Sequence, residues 1–183
     1  MNEKLSRRPP AIHTPRLALR PFIAEDEPAA AALLRSPKIA QTYILPDLSA
    51  PGSAEALFGR LLLLSHSPEH FVYGIYLENA LIGFLNDVEI TGDTIELGYV
   101  IAPAHWNRGY ATEALAAALE ALFALGYAAV RAGFFESNAA SRRVMEKCGL
   151  RPAYMTQEIP YRGQVRRCIY YEARNSDLQS ITD

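Results

Sequence analysis

Residues 94–126 read TIELGYVIAPAHWNRGYATEALAAALEALFALG, and no other part of the chain restricts the fold as tightly. TIELGYVIA alternates as a strand should, and Pro103 stops it. In the alanine-rich stretch that follows, Leu115, Leu119, Leu122 and Phe123 fall on one face of a helix, and Gly126 is a natural C-terminal stop. YAAVRAGFF (127–135) then reads as another strand. A strand, a crossover helix and a parallel strand make a right-handed unit, so this segment fixes the centre of a sheet. Between strand and helix lies HWNRGY, with one glycine. Helix starts carry spare N–H groups and a positive dipole end. A short loop that turns those groups outward makes an anion site, most often for phosphate.

The rest of the chain arranges itself around this unit. Residues 1–13 are polar and proline-bearing, and are expected to be loose. RLALRPF (16–22) is a half-buried strand; EDEPAAAALLRS (25–36) is a helix with acids and a proline in its first turn. Pro46, Pro51 and Gly52 mark a loop, after which Ser53 is expected to cap the helix AEALFGRLLLLS. FVYGIYLE (71–78), LIGFLNDVEI (81–90) and the strand at 94–102 follow with tight turns, the second at Thr91-Gly92-Asp93, and so form an antiparallel meander. SNAASRRVMEKCG (137–149) is a capped helix, and the last strands form a hairpin turning near Arg162–Gly163. The expectation is an α/β (α+β) fold: one domain over 14–175 and a tail at 176–183. It has a mixed, mostly antiparallel sheet with helices on both faces.

Bulk properties narrow the function. With 183 residues the chain fits one domain. A net charge of −2 argues against a general nucleic-acid binder. The longest aliphatic run, LLLL at 61–64, is far short of a membrane span, and the N-terminus has no signal-peptide core. Cys148 and Cys168 are too few for a disulfide scaffold or a cysteine zinc site. They read as reduced thiols of a cytoplasmic protein. His105 has no second His or Cys at ligand spacing, so no metal is expected.

The loop itself is selective. The chain lacks G-x-x-x-x-G-K-[ST], and Gly109 alone does not make G-x-G-x-x-G. Trp106, Asn107, Arg108, Gly109, Tyr110 and Ala111 instead fit [Q/R/W]-x-x-G-x-[G/A]. Here the sequence resembles the GNAT N-acetyltransferases, and within them the RimJ/RimL-type ribosomal-protein N-acetyltransferases, over roughly residues 14–173. TPRLALRPF, IELGYVIAPAHWNRGYATEAL and ESNAASRRVMEKCGLRPA carry the resemblance, in the family's order.

The resemblance implies acetyl-coenzyme A as donor, with its pyrophosphate on the N–H groups from Asn107 to Thr112. Gly109 leaves room for backbone approach, Arg108 adds a charge-assisted contact, and Trp106 packs the loop against the sheet. It further implies a sheet splayed beside the third meander strand, freeing the backbone of Tyr99, Val100 and Ile101 for the pantetheine amides and the thioester carbonyl. Asn138 would bond the coenzyme, or simply cap its helix. Ser141 matches a proposed general acid facing the sulfur. Tyrosines serve as the acid in other branches, but Tyr110 and Tyr154 carry no assignment.

Transfer to an amine needs the neutral amine, since α-amino groups titrate near 7.7–8.0 and lysine near 10.4. Glu96, on the strand lining the groove, is the candidate base, with Glu89 and Asp87 on the neighbouring strand as alternatives. Arg142–Arg143 and Arg166–Arg167 are short basic pairs that would meet the coenzyme's 3′-phosphate, an acidic partner, or only solvent. The expected partner is an amine, either a peptide N-terminus or a small molecule, with no membrane or direct nucleic-acid contact; a homodimer is compatible with this. The rival from another class is a non-catalytic acyl-coenzyme A sensor, which needs the loop but neither Glu96 nor Ser141.

Overall fold

The computed structural model describes residues 3–176. Its elements run β1 (Ile12–His13), β2 (Leu17–Arg20), α1 (Glu27–Leu34), α2 (Pro37–Thr42), α3 (Ser53–His66), β3 (Tyr73–Leu77), β4 (Ala80–Thr91) and β5 (Thr94–Ile101). They continue α4 (Tyr110–Ala124), β6 (Ala129–Phe135), α5 (Ala139–Lys147), β7 (Arg151–Tyr161) and β8 (Gln164–Arg174). The strands make one eight-stranded sheet in the order β1-β2-β3-β4-β5-β6-β8-β7. Every pairing is antiparallel except β5 with β6, the pair joined by the α4 crossover.

Two cores follow from the alternation of each strand. On one face Ile95, Leu97 and Ile101 of β5 pack with Leu115, Leu119, Leu122 and Phe123, the stripe read from the sequence. On the other face Val100 and Phe84 pack with Phe22, Leu33, Leu34, Ile39 and Phe58 of the α1–α3 layer. Apolar burial on both sides of a sheet is the main stabilising term of such a fold.

Two expectations are corrected. The N-terminal segment, expected to be loose, is tied down over residues 3–13. Leu5 is fully buried in the α4-side core, Lys4 Nζ reaches Asp93 Oδ1 (2.5 Å) and Gly126 O (2.7 Å), and Ile12–His13 pairs with β2. Ser53 does not cap α3: Gly52, at φ 79°, is the N-cap, and Ser53 Oγ donates to Ala50 O. Pro37–Thr42 adds a short helix in a stretch for which the sequence suggested no element. The tail expected at 176–183 lies outside the described residues beyond Ser176.

Candidate active site

The splay is visible in the register. β5 and β6 pair only from Thr94↔Ala129 to Leu97↔Ala132. Beyond that β5 continues to Ile101 on β4, and β6 continues to Phe135 on β8. The two strands therefore part at Gly98 and Gly133. Gly98 suits the fork because a β-carbon there would lie 2.7 Å from Tyr43 Oη, which packs across it.

Backbone direction follows from ladder phase. Ala102 N donates to Ile82 O (2.7 Å). Alternate residues of an antiparallel pair direct both groups at the partner strand. Val100, in phase with Ala102 and opposite Phe84, therefore faces β4, which corrects the expectation of a free Val100 backbone. Tyr99 and Ile101 face the fork. Ile101 is only half free, because its carbonyl accepts the Trp106 indole N–H (2.6 Å). That bond is how the tryptophan fastens the loop to the end of β5.

The loop delivers a helix start to the mouth of the fork. Asn107 (φ 59°) and Gly109 (φ 81°) are both left-handed, and Gly109 is the N-cap of α4 with no side-chain cap bond. The first bond within the helix is Glu113 N to Gly109 O (3.0 Å). The N–H groups of Tyr110, Ala111 and Thr112 come before it and are the orphan donors of a helix start. Glu113, which could have turned back to cap them, turns away. Its Oε1 accepts Thr14 Oγ1 (2.6 Å) and Arg16 N (3.0 Å), and its Oε2 accepts Arg16 Nε (2.6 Å). Partial burial would raise its carboxyl, but the bonds from Thr14 and Arg16 hold it below the usual range. Arg16 also donates to Arg108 O (3.0 Å) and lies over the Tyr110 ring.

A cavity of about 350 Å³ fills the fork. Of the residues expected to touch the coenzyme, 99–101, 106, 107 and 109–112, with Asn138 and Ser141, line it. Arg108 does not. The guanidinium beside Gly109 is that of Arg16, with Nη2 3.3 Å from a β-carbon built there. Sequence reasoning passed over Arg16, although it sits in TPRLALRPF, because its partner Glu113 is far along the chain. Arg143 lines the cavity, whereas Arg142 lies near Glu146 (3.9 Å), and Arg166 Nη1 and Nη2 donate to Gln41 O and Ser137 Oγ. His105 lines it too, with Nδ1 buried and unpartnered. Among the described residues no cluster of three His, Cys, Asp or Glu side chains is placed to hold a metal ion. Both cysteines are free thiols, and burial pushes Cys148 up to about 11.

Asn138 caps α5: its Oδ1 accepts Ser141 N (3.1 Å), and its Nδ2 donates to Thr42 O (3.4 Å). Asn138→Ala is expected to cost about 0.5–2 kcal/mol of stability through the lost cap, measured by urea unfolding. Ser141 Oγ meets Tyr99 Oη at 2.7 Å.

The three carboxylate candidates separate. Asp87 is fully engaged at the start of β3, its Oδ1 accepting Phe71 N (2.7 Å) and its Oδ2 bonded to His70 Nδ1 (2.9 Å). Glu96 and Glu89 stand opposite each other across β4 and β5, with Arg131 of β6 beside Glu96. Glu96 is half-buried, and burial raises its carboxyl above the usual range, with Arg131 opposing and Glu89 adding to the rise. Glu96 is not among the cavity-lining residues. It lies at the closed end of the fork, on the face of Gly98 and Val100. Arg131 itself pairs with Glu172 (2.9 Å).

Comparison with known proteins fits this geometry. The profile of the family described as "Acetyltransferase (GNAT) domain" matches residues 16–151. The uncharacterized N-acetyltransferase YoaA of Bacillus subtilis (strain 168) is 26% identical over 157 residues, 83% of this chain and 89% of that protein. A GNAT-family acetyltransferase from Bacillus anthracis has a similar structure: the TM-score is 0.78 at 24% identity, over 91% of this chain and 99% of that one. RimL, a ribosomal L7/L12 alpha-N-protein acetyltransferase solved with coenzyme A, gives 0.77 at 18% identity, over 90% and 97%. At such identities the structural likeness is one of fold.

Proposed function

Because the chain belongs to the acetyltransferase (GNAT) family, we propose that it moves the acetyl group of acetyl-coenzyme A directly onto a primary amine, of a protein N-terminus or a small molecule. The observation that carries this reading is the fork between β5 and β6 with an uncapped helix start at its mouth. An uncapped start with a left-handed glycine fits a pyrophosphate: the N–H groups of Tyr110, Ala111 and Thr112 are donors, and no side chain stands between. Arg16 adds positive charge beside them. The extended pantetheine arm would run between the strands and add its amides to the Tyr99 backbone, as a strand would.

The chemistry is then divided among residues of two elements, β5 and α5. Tyr99 N–H would meet negative charge growing on a carbonyl oxygen. Glu96 takes the proton of the incoming amine. It acts through water, since it lies at the closed end of the fork rather than on the cavity wall. A half-buried carboxylate with a raised pKa is a stronger base than a solvated one. Ser141, at the start of α5, supplies a proton to the departing sulfur.

The acceptor approaches from the α1–α3 side. A groove of about 790 Å³ runs there between α2 and the β7–β8 hairpin, sharing Thr42, Asn138 and Ala140 with the cavity. Its walls include Gln41, Ser137 and Gln164, polar side chains that suit a peptide backbone. The RimL neighbour, described as an alpha-N-protein acetyltransferase, supports a peptide N-terminus as one acceptor class. The test is a panel of peptides with free or blocked N-termini, lysine-only peptides and small amines, each read by mass spectrometry for a gained acetyl group. A gain on at least one free-amino substrate, absent from its blocked form, is expected. No gain on any of them would overturn the reading.

A further inference from the structure

Tyr99 and Ser141 meet inside the fork. The phenol oxygen of Tyr99 lies 2.7 Å from Ser141 Oγ and 3.3 Å from the Ser141 carbonyl. That carbonyl lies within α5 and accepts the bond of the following turn, so the hydroxyl at 2.7 Å is the better acceptor for the phenol. Tyr99 Oη is the hydroxyl's only side-chain hydrogen-bond partner among the described residues, and Ser141 lines the cavity. When the phenol donates, the hydrogen of the serine has one outlet, the cavity.

We infer that Tyr99 is a positioning residue that acts through Ser141: its phenol donates to Ser141 Oγ, aims the serine hydrogen at the sulfur of the departing coenzyme, and refills the serine as that hydrogen leaves. The inference rests on the acetyl-transfer reading above. A lone serine is a poor acid for this purpose. Its hydroxyl is about as weak an acid as water, far weaker than a cysteine-like thiol, which titrates at about 8.5. Giving up its proton alone would leave an alkoxide in a half-buried site. With Tyr99 behind it the charge passes on. The carbon–sulfur bond breaks and its electron pair stays on sulfur. The serine hydrogen bonds to sulfur, and the phenol hydrogen moves to Ser141 Oγ. The charge passes to a phenol, a stronger acid than an aliphatic alcohol, and does not stay there. The proton taken from the amine on the Glu96 side returns through water to that phenol, so one proton leaves nitrogen and one arrives at sulfur.

Burial raises Tyr99 above its ordinary value, so a lasting phenolate is disfavoured and the phenol gives up its hydrogen only as the proton from the amine replaces it. Linked hydroxyls also polarise one another, which strengthens the outer donor. The same residue presents its backbone to the fork and its side chain to Ser141, so strand β5 sets both with one rigid element.

The test uses Tyr99→Phe, Ser141→Ala and the double variant, each with two readouts. The first is the pH titration of thiolate absorbance for coenzyme A bound to the protein, taken as a difference from the protein alone. The bound thiol is expected to titrate lower in wild type than in all three variants, which agree with one another. The second is turnover. Tyr99→Phe is expected to lower kcat by about 10-fold or more, with KM for acetyl-coenzyme A within about twofold, and to cost nothing further once Ser141 is alanine. A Tyr99→Phe protein whose bound thiol titrates as in wild type overturns the inference. Losses that multiply in the double variant also overturn it, since Tyr99 would then act without Ser141. Coenzyme A that fails to bind wild type at all would remove the donor reading itself, and this inference with it.

Discussion

Gly109→Glu abolishes the thermal protection that acetyl-coenzyme A gives the wild-type protein. A ligand that binds only the native state at about 100 times its Kd adds about 2.7 kcal/mol, which in a domain of this size raises Tm by roughly 5–10 °C. The variant should show no shift at millimolar ligand. The loss comes from charge and bulk at the phosphate position. A β-carbon at Gly109 meets only Arg16 Nη2 within 4 Å, so the space for folding is there. The backbone sits at φ 81°, and a side chain in that region costs about 1–2 kcal/mol, which leaves a folded protein. Gly109→Ala separates the two effects, because it carries the strain without the charge. It should melt slightly lower than wild type and keep a part of the ligand-induced shift, so that the remaining loss in the glutamate variant measures the charge and the longer side chain. Full protection of the glutamate variant would move the anion site elsewhere.

Glu96→Gln should leave coenzyme binding nearly intact and slow acetyl transfer by roughly 10²–10⁴, the usual worth of a positioned proton acceptor. The deficit should shrink at high pH, where the amine deprotonates unaided. In wild type kcat should fall on the acid side as Glu96 takes up its proton. Burial raises its carboxyl, so this fall comes at higher pH than for a solvated glutamate. The variant lacks that limb. Stability should move the opposite way. A carboxyl raised in the folded state binds its proton more tightly there than in the unfolded chain. Its contribution to stability is therefore full below the unfolded value and is lost as pH rises through the folded one. At neutral pH the charged form is the disfavoured one, so Glu96→Gln should melt at or above wild type, and the gap should close on acidification. A site residue that costs stability and supplies function is a common trade. Wild-type turnover by the variant at neutral pH would transfer the base role to Glu89 or to bulk water.

What the sequence made legible was the periodic and the local. The stripe of α4, the stop at Gly126, the meander turns and the Asn138 cap each depend on residues a few positions apart. Leu5 escaped notice because one leucine in a polar segment has no period to reveal it. Pro37–Thr42 is too short to show one. The splay had to be taken from the family resemblance, since it depends on where β5 and β6 stop pairing, and no residue spacing encodes that. Alternation along β5 put Tyr99 on the α4 side with Leu97 and Ile101. It could not tell that α5 would bring Ser141 against the phenol. Arg16 and Glu113 lie 97 residues apart, so no spacing in the sequence joins them. Val100 was assigned a free backbone because the phase of its ladder with β4 was unknown.

The central claim is that the fork holds acetyl-coenzyme A and passes its acetyl group to an amine. It is tested most directly by counting, in one reaction, the coenzyme A thiol released and the acetylated amine formed by the purified protein. The account predicts one thiol per acetylated amine, release that depends on the amine, and loss of both products in Gly109→Glu and Glu96→Gln. Saturable binding of acetyl-coenzyme A with no thiol released for any peptide or small amine would contradict it, and would leave a binding protein in place of an enzyme.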